Sequence, residues 1–364
     1  MTLGFFLYEF TLQKASSLPL KQTLRGRLQE EDGYSMRRRI VIDKGALLGL
    51  LVFTVFCLLS LTGVKVFEAW SQVTVLWDSG WPLLYFIDHF HFERYLTAYP
   101  GLMLEERLPG IGFSIYISLF ATINTLLFRQ VHMNFTGYRP SLFAYIAFLL
   151  IHLAMNGRGP IGWTGWLLCL GLHGRFGDPG RTGPFMTITN SSLLFFSILF
   201  SSVSSGVFMV VFLSNAMLIA RVLRGSLHLH RLSLGRILTL LFASAIIGYG
   251  IYRAILYLLD SVVKIHLFFG SYSAVITHGV GVLVERYELS VVLLVAAILG
   301  ISFALFWTFL KGRIAPVLWP LMAISMVGGA FGFTTLTLNI PLVLIFISIL
   351  IREFLSNLTS QTQT

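Results

Sequence analysis

Charged residues are scarce in this chain, and their scarcity argues against most classes of soluble protein. Asp, Glu, Lys and Arg make up 12% of the 364 residues, whereas an ordinary soluble domain carries about 25%. Hydrophobic residues make up 56% and the mean hydropathy is +0.80. The chain therefore has too few polar side chains to cover a globular surface. This composition disfavours a soluble enzyme, a disordered protein and a nucleic-acid-binding module.

Cysteine is almost absent as well, and several common motifs are missing. Cys57 and Cys169 are the only two cysteines, and both lie inside apolar runs, which argues against a disulfide framework or a cysteine-based metal site. The sequence contains no GxxxxGK[ST] phosphate loop, no HExxH and no CxxC pair. These absences argue against an ATP-driven pump and a zinc protease. We expect no cofactor and no bound metal.

Long apolar runs are what the sequence has in abundance. A membrane-spanning helix needs about 20 mostly apolar residues, and ten segments meet or approach that length. They are 46–64, 111–128, 141–155, 160–173, 185–200, 206–223, 237–259, 289–310, 314–334 and 337–351. The serine-rich Ser201–Gly206 separates two of them. We therefore predict an all-α fold, a polytopic transmembrane helical bundle of about ten spans.

The net charge of +10 acts mainly as a topology signal. With ten spans and the N-terminus inside, 19 of the 26 Lys and Arg residues lie at the inner face, as the positive-inside rule requires. The chain then divides into a basic cytoplasmic tail 1–45, a transmembrane domain 46–352 and a polar cytoplasmic tail 353–364. We expect both termini to be cytoplasmic and the partners to include membrane lipids but no nucleic acid.

Two outer segments are long, 65–110 and 260–288. The first is rich in Trp and Tyr, which prefer the headgroup level. Its apolar stretch 73–86 is interrupted by a charge, a glycine and a proline, so we predict a re-entrant or interfacial helix. The stretch 264–284 is predicted to lie on or dip into the outer leaflet, and every later segment inverts if it spans instead.

An arginine occupies the outer turn between the third and fourth predicted spans. Arg158 stands between glycines in the run Asn156-Gly157-Arg158-Gly159-Pro160. Arginine at a membrane-embedded turn is costly unless it pairs, snorkels or binds an anion. Its guanidinium suits bidentate contacts to phosphate or carboxylate. A phosphate or diphosphate contact and a tight turn with a snorkelling arginine explain the residue equally well.

A second candidate site lies in the run 88–95, which holds His89, His91, Glu93 and Arg94. The two histidines alternate as on a strand, so both would face one way. Their spacing is a weak metal signal because a metal site needs three or four ligands. A general base near an anchored substrate fits these residue types better. A solvated interfacial loop is the competing interpretation, and it is favoured.

Further charges cluster at the outer end of the span 237–259 and in the loop after it. Arg253 and Asp260 are seven residues apart, which is two helical turns, so they share a face. Arg286 follows among glutamates in the loop. A second anion site and interfacial anchoring explain these charges equally well. The serines of Ser201–Gly206 either donate to a polar substrate or pack helices as small residues, and packing is favoured.

The general plan resembles the Wzy-type polysaccharide polymerases, which are polytopic inner-membrane proteins of bacterial envelopes. The likeness rests on Arg94-Tyr95 after an acidic and aromatic outer segment, on Arg158 between two spans, and on Ser201–Gly206 after a long apolar run. The chain departs from the family in lacking a single large, charge-rich outer loop late in the sequence. The resemblance implies a multi-pass protein of the bacterial inner membrane.

The resemblance also implies a substrate and a reaction. The substrate is a polyprenyl-diphosphate-linked oligosaccharide at the outer leaflet, and one glycan is transferred to a hydroxyl of the next while the lipid diphosphate leaves. Cationic groups would hold the developing diphosphate charge. The candidates are Arg94, Arg158, Arg253 and Arg286. A carboxylate or histidine would take the acceptor proton. The candidates are Glu93, His89, His91 and His278. Chain-length-regulator and flippase proteins are the implied partners.

Two other function classes compete with this interpretation. A secondary transporter or lipid-linked oligosaccharide flippase would show broken helices near the midplane, for which the glycines of 328–332 are candidates. A non-catalytic membrane subunit of an envelope assembly would expose a small-residue face such as 45–49. An outward polar cavity lined by Arg158 and Arg253 would favour the enzyme, a mid-depth cavity would favour transport, and no cavity would favour the subunit.

Overall fold

The chain divides into two units, Met1–Asp43 and Lys44–Thr364, and every described residue belongs to the second. The computed structural model describes residues 44–62, 69–87, 89, 91–154, 157–176, 188–226, 244–245, 248–253, 255–256, 259, 263, 293–294, 297–298, 300–312, 314–328 and 333–361. The predicted outer segment 260–288 lies outside the described residues except for position 263, and so do His278 and Arg286.

All regular structure in these described ranges is helical, which confirms the predicted all-α class. In chain order the helices are α1 (Lys44–Leu61), α2 (Ser71–Asp78), α3 (Phe92–Arg107), α4 (Gly112–Thr136), α5 (Leu142–Ala154), α6 (Arg158–Phe176), α7 (Ile188–Ser201), α8 (Ser205–Ser226), α9 (Leu318–Gly328), α10 (Phe333–Leu336) and α11 (Asn339–Gln361). A 3₁₀ turn covers Leu83–Phe86, and a further apolar helical segment covers Gly300–Leu310.

One helix among the described residues, α4, is long and apolar enough to cross a membrane by its length and composition. Its 25 residues extend about 37 Å. Of its most apolar 18-residue stretch, 56% is buried inside the protein. Shorter apolar helical stretches of 10–17 residues are Gly45–Leu61, Leu142–Leu153, Thr189–Ser201, Ser205–Arg221, Gly300–Leu310 and Leu318–Gly328. The helical class is thus established, and the ten spans stay a prediction.

Helix boundaries differ from the predicted spans because backbone hydrogen bonds continue where hydropathy falls. The predicted span 111–128 continues as α4 to Thr136, where Gly137 ends the helix with a left-handed φ of 79°. Helix α11 runs past the predicted end of the last span to Gln361. Helix α9 covers only part of the predicted span 314–334. Hydropathy therefore located these helices but not their ends.

Helix α6 lies at the centre of the described structure and packs against α4, α7 and α8. Its Trp163 and Trp166 are completely buried. The Trp163 indole donates to Thr337 Oγ1 at 3.0 Å, and the Trp166 indole donates to the Leu338 carbonyl at 2.8 Å. Each buried N–H thereby finds an acceptor in the turn between α10 and α11. These bonds fix the turn against the core helix whose first residue is Arg158.

The apolar stretch 73–86, predicted as a re-entrant or interfacial helix, folds into two short pieces. Helix α2 ends at Asp78, and the 3₁₀ turn begins at Leu83. Gly80, with a φ of 72°, reverses the chain between them. Helix α3 follows and packs against α2, α4 and α7. This arrangement brings the start of α3 to the turn between α7 and α8.

Candidate functional site

Six of the eight predicted site residues are described, namely His89, His91, Glu93, Arg94, Arg158 and Arg253. They come from the turn before α3, from α3, from α6 and from the helical residues 248–253. Five of them are linked by contacts at the start of α3, and the charge of Arg158 interacts with that of Arg94. The remaining two, His278 and Arg286, lie outside the described residues.

Glu93 and Arg253 form a buried ion pair between Oε2 and Nη2. Glu93 is 4% exposed and Arg253 is 5% exposed. The Tyr249 hydroxyl donates to the other carboxylate oxygen, Oε1, at 2.6 Å. Two opposite charges removed from water stabilise each other only when their remaining polar atoms are also bonded. Arg253 and Tyr249 therefore hold the Glu93 carboxylate in one orientation.

Arg94, the next residue of α3, is 8% exposed and bonds in a different direction. Its Nε donates to the Ser202 carbonyl at 3.4 Å, and its Nη1 donates to Gln72 Oε1 at 3.0 Å. Nη1 also lies 3.1 Å from His91 Nδ1. Because a guanidinium only donates, His91 Nδ1 must accept this bond and carry a lone pair. Arg94 thus joins α2, α3 and the α7–α8 turn.

The two histidines lie in the turn before α3, so the predicted strand-like alternation is wrong. The His91 backbone N–H donates to His89 Nδ1 at 3.1 Å, and the two rings are 5.5 Å apart. The 3₁₀ turn ends at Phe86 and α3 begins at Phe92, so only a short connection is available between them. Among the described residues, no group of three or more His, Cys, Asp or Glu side chains is placed to hold a metal ion.

The favoured interpretation of 88–95 as a solvated loop is also wrong. Helix α3 begins at Phe92, and its first turn buries both Glu93 and Arg94. Burial is possible because distant parts of the chain supply the partners. Arg253 is 160 residues from Glu93, and Ser202 is 108 residues from Arg94. No local pattern in 88–95 contains this information.

Arg158 begins α6, just before the predicted span 160–173. Its Nε is buried and has no hydrogen-bond partner in the described part of the chain. Burial lowers the pKa of Arg158, and the positive charge of Arg94 lowers it further. A like charge close by and a low-dielectric setting both disfavour a second guanidinium. An anion placed between the two arginines would remove that cost.

The serine turn separates α7 from α8 as predicted, with α7 ending at Ser201 and α8 beginning at Ser205. Ser201 Oγ donates to the Ile198 carbonyl at 2.8 Å, and Ser202 Oγ donates to the Leu199 carbonyl at 2.6 Å. Both hydroxyls thus return to their own helix, as serine does in apolar surroundings. The turn supplies the site with a backbone carbonyl, that of Ser202, rather than with hydroxyl donors.

A cavity of about 490 Å³ opens beside the ion pair. Its accessible lining is almost entirely apolar, although Glu93, Arg253, Tyr249 and Ser202 lie at its wall. The other lining residues are Phe92, Leu96, Phe195, Ile198, Leu199, Phe208 and Ala245. Arg253 lines this cavity but Arg94 and Arg158 do not, so the predicted polar cavity lined by both Arg158 and Arg253 is not found among the described residues. Ser202 connects the two regions because its carbonyl accepts from Arg94 while the residue lines the cavity. This lining suits an apolar chain.

The sequence did not single out Gln72 or Tyr249, and it singled out Ser202 for its hydroxyl rather than for its carbonyl. Tyr249 lies four residues before Arg253, which places both on one helix face. That spacing was available in the sequence. Gln72 and the Ser202 carbonyl carry no such signal, because a lone amide and a backbone oxygen do not stand out in any sequence.

No protein-family model, no curated protein and no solved structure matches the chain.

Proposed function

We propose that this protein is a polytopic membrane glycan polymerase. It joins oligosaccharide repeat units carried on polyprenyl diphosphate, at the extracytoplasmic face of the bacterial inner membrane. The observation that carries the proposal is the interaction of two like charges, Arg94 and Arg158. The buried Nε of Arg158 has no hydrogen-bond partner among the described residues. A diphosphate offers the negative charge and the paired oxygens that two guanidiniums bind best.

Membrane residence is supported by the apolar side chains that the described helices leave uncovered. Helix α1 has no charged residue after Lys44, and its Leu50 and Leu61 are each 63% exposed. Leu142 of α5 is 75% exposed. A soluble monomer rarely exposes so much contiguous apolar surface. In the proposed bundle, lipid chains cover these faces.

The cavity supports a lipidic substrate. Its apolar lining accommodates the start of a polyprenyl chain, and the buried Glu93–Arg253 pair lies at its wall. In this proposal Glu93 orients Arg253 rather than acting as a base, because both of its carboxylate oxygens already accept hydrogen bonds, from Arg253 and from Tyr249. Arg94 and Arg158 bind the diphosphate beyond the Ser202 turn. The glycan itself extends toward the outer aqueous face.

The proposed reaction is a glycosyl transfer without ATP. A hydroxyl oxygen of the acceptor glycan forms a bond to the anomeric carbon, the bond from that carbon to the diphosphate oxygen breaks, and the diphosphate leaves with the electron pair. The arginines stabilise the leaving charge. The hydroxyl proton passes to His91 Nδ1, which becomes available when Arg94 turns from it to the diphosphate. The atoms and charges balance without a cofactor.

The proposal is tested by deleting the gene in its own host, followed by gel analysis of surface polysaccharide and of lipid-linked intermediates. Loss of long chains, with single repeat units still reaching the surface, is the result expected of a polymerase. Accumulation of lipid-linked units at the inner face would instead indicate a flippase. An unchanged polysaccharide profile would overturn both and leave a transporter of other cargo or a non-catalytic subunit.

Arg158→Ala is expected to abolish polymer formation without lowering the amount of protein in the membrane, because the diphosphate loses a cationic contact. The matched control is Arg107→Ala. Arg107 is exposed at the end of α3, on the same predicted side of the membrane. The control is expected to make polymer of normal length. Normal chain length in the Arg158 variant, at normal protein level, would contradict the proposal.

A further inference from the structure

A fully buried polar network holds the first turn of α6. Asn124 of α4, His152 of α5 and Thr164 of α6 are 0%, 0% and 2% exposed. Asn124 Nδ2 donates to the Pro160 carbonyl at 2.8 Å and lies 3.1 Å from His152 Nε2. Thr164 Oγ1 donates to Asn124 Oδ1 at 2.7 Å. Three helices therefore meet at one amide group.

The amide and imidazole donors of the network each have one direction, whereas the Thr164 hydroxyl also reaches the Pro160 carbonyl at 3.1 Å. The Phe148 carbonyl only accepts, so His152 Nδ1, 3.0 Å away, carries the proton and Nε2 carries a lone pair. Asn124 Nδ2 then donates both of its hydrogens, and its Oδ1 accepts from Thr164. Turning the amide over would set its oxygen against the Pro160 carbonyl and leave two acceptors face to face. The amide orientation is thus unique.

Aromatic rings surround His152 and shield this part of the network from water. The His152 ring lies edge-on to Trp163 at 5.0 Å and beside Phe148 at 4.8 Å. Phe56 of α1 approaches its other side at 6.4 Å. In such surroundings a broken hydrogen bond is not replaced by one to water. Loss of one side chain would therefore leave the remaining polar groups of the network without replacement hydrogen bonds.

The network binds the carbonyl of Pro160, which is two residues after Arg158. Glycine stands on both sides of Arg158, at 157 and 159. Because glycine has no Cβ, these two neighbours do not themselves restrict the backbone conformation. Pro160 fixes one φ angle, and Asn124 holds the Pro160 carbonyl. We infer that Asn124, fixed by Thr164 and His152, is a positioning residue that sets where Arg158 presents its guanidinium. The inference rests on the proposed role of Arg158 in diphosphate binding.

A purely structural network is the competing interpretation, and the chain offers a matched control for it. Ser325 Oγ donates to Asn339 Oδ1 at 2.7 Å, and Asn339 Nδ2 donates to the Ser325 carbonyl at 3.2 Å. Both residues are buried and join α9 to α11. Asn339→Leu removes a comparable buried amide from elsewhere in the fold. Asn124→Leu and Asn339→Leu are therefore expected to lower stability alike.

The first measurement reports the position of residue 158 without any ligand. A nitroxide is attached to Arg158→Cys in the full chain, with Cys57→Ser and Cys169→Ala, in detergent. We expect an immobilised electron paramagnetic resonance spectrum that becomes mobile with Asn124→Leu but not with Asn339→Leu. An unchanged spectrum with Asn124→Leu would overturn the inference. Where Asn124→Leu does not fold, Thr164→Val replaces it, and Thr164→Ser, which keeps the hydroxyl, is expected to restore the immobile spectrum.

The second measurement uses inorganic diphosphate as the probe, by calorimetry on the purified chain. Asn124→Leu is expected to weaken diphosphate binding about tenfold, since a small displacement of a binding group carries a large cost. In an Arg158→Ala background it is expected to cause no further loss, because the two residues act through one contact. An additive loss would overturn the inference. Absence of diphosphate binding by the unaltered chain would contradict the proposed function instead, and the nitroxide spectra would still decide the positioning role.

Discussion

Glu93 and Arg253 lie in segments that the sequence places near the outer face, yet the fold removes both from water. Either charge alone would carry a desolvation cost of several kcal/mol. Their ion pair and the Tyr249 hydroxyl bond offset that cost. Residue types and positions identified both groups as candidates for chemistry. Their pairing did not follow from the sequence, because Asp260 was the charged neighbour at helical spacing.

Glu93→Gln is expected to lower the free energy of unfolding by about 3 kcal/mol, because Arg253 stays buried opposite a neutral amide. The measurement is unfolding of the purified chain in mixed micelles by titration with sodium dodecyl sulfate. Tyr249→Phe is the control, since it removes one hydrogen bond to the carboxylate, worth about 1.5–2 kcal/mol, and leaves the ion pair intact. Equal losses in the two variants would contradict a dominant ion pair.

A double variant separates the effect of the two charges from the effect of side-chain volume. Glu93→Leu with Arg253→Met replaces the pair by apolar side chains of similar volume, and it is expected to lose less stability than either single change. The reason is that each single change leaves one charge buried alone, whereas the double change leaves none. A loss equal to the sum of the two single losses would show that the side chains act independently.

At the scale of helices, close approach in the core depends on glycine in α6. A Cβ atom at Gly165 would lie 2.6 Å from the Ser197 carbonyl oxygen and 2.7 Å from the Ser201 backbone nitrogen of α7. Those atoms belong to the backbone and cannot turn aside. Small residues of this kind let helices pack closely where no hydrophobic effect drives their association. Gly165 also explains how Ser197 Oγ reaches the Gly165 carbonyl at 2.9 Å.

Gly165→Ala is expected to reduce the free energy of unfolding by about 1–3 kcal/mol, the usual cost of overpacking. Gly171→Ala, on the same helix, is the control, since its nearest atom is Val131 Cγ2 at 3.9 Å. The control is expected to be neutral or to gain up to about 1 kcal/mol from better helix propensity. The same detergent titration measures both. A stable Gly165 variant would mean that α6 and α7 separate more easily than their contact indicates.

At the scale of the whole molecule, the proposed orientation in the membrane is argued from the charge asymmetry and from α4. That helix joins a predicted outer segment to a predicted inner loop, and its 25 residues exceed the roughly 20 that a bilayer requires. The proposed bundle thus places the cluster around Glu93 at the outer face, where a diphosphate-linked glycan is presented. The direction of α4 decides the side on which the cluster lies.

Cysteines introduced at the two ends of α4 are expected to react from opposite sides of the membrane. Leu108→Cys and Arg139→Cys are exposed positions for this test, in a chain with Cys57→Ser and Cys169→Ala. A membrane-impermeant maleimide is expected to label Leu108→Cys in spheroplasts and Arg139→Cys in inverted vesicles. Labelling of both from one side would contradict the topology, and recovery of the protein without membranes would contradict membrane residence.

The sequence by itself determined the helical class and most of the candidate residues. Few charged side chains and long apolar runs favour helices, which satisfy their own backbone polar groups. The break at the serine turn was also readable, since small polar residues interrupt an apolar run there. Charged residues and histidines are rare among the apolar runs, so those near the outer face stood out as candidates.

Only the tertiary structure decided which candidates meet and what each one does. It buried Glu93 and Arg94, paired Glu93 with Arg253, and placed Arg94 near Arg158. It also assigned Asn124 to the turn that carries Arg158. The physical reason is that these contacts join helices distant in sequence. Their distances depend on how side chains fill the space between helices, which local spacing does not encode.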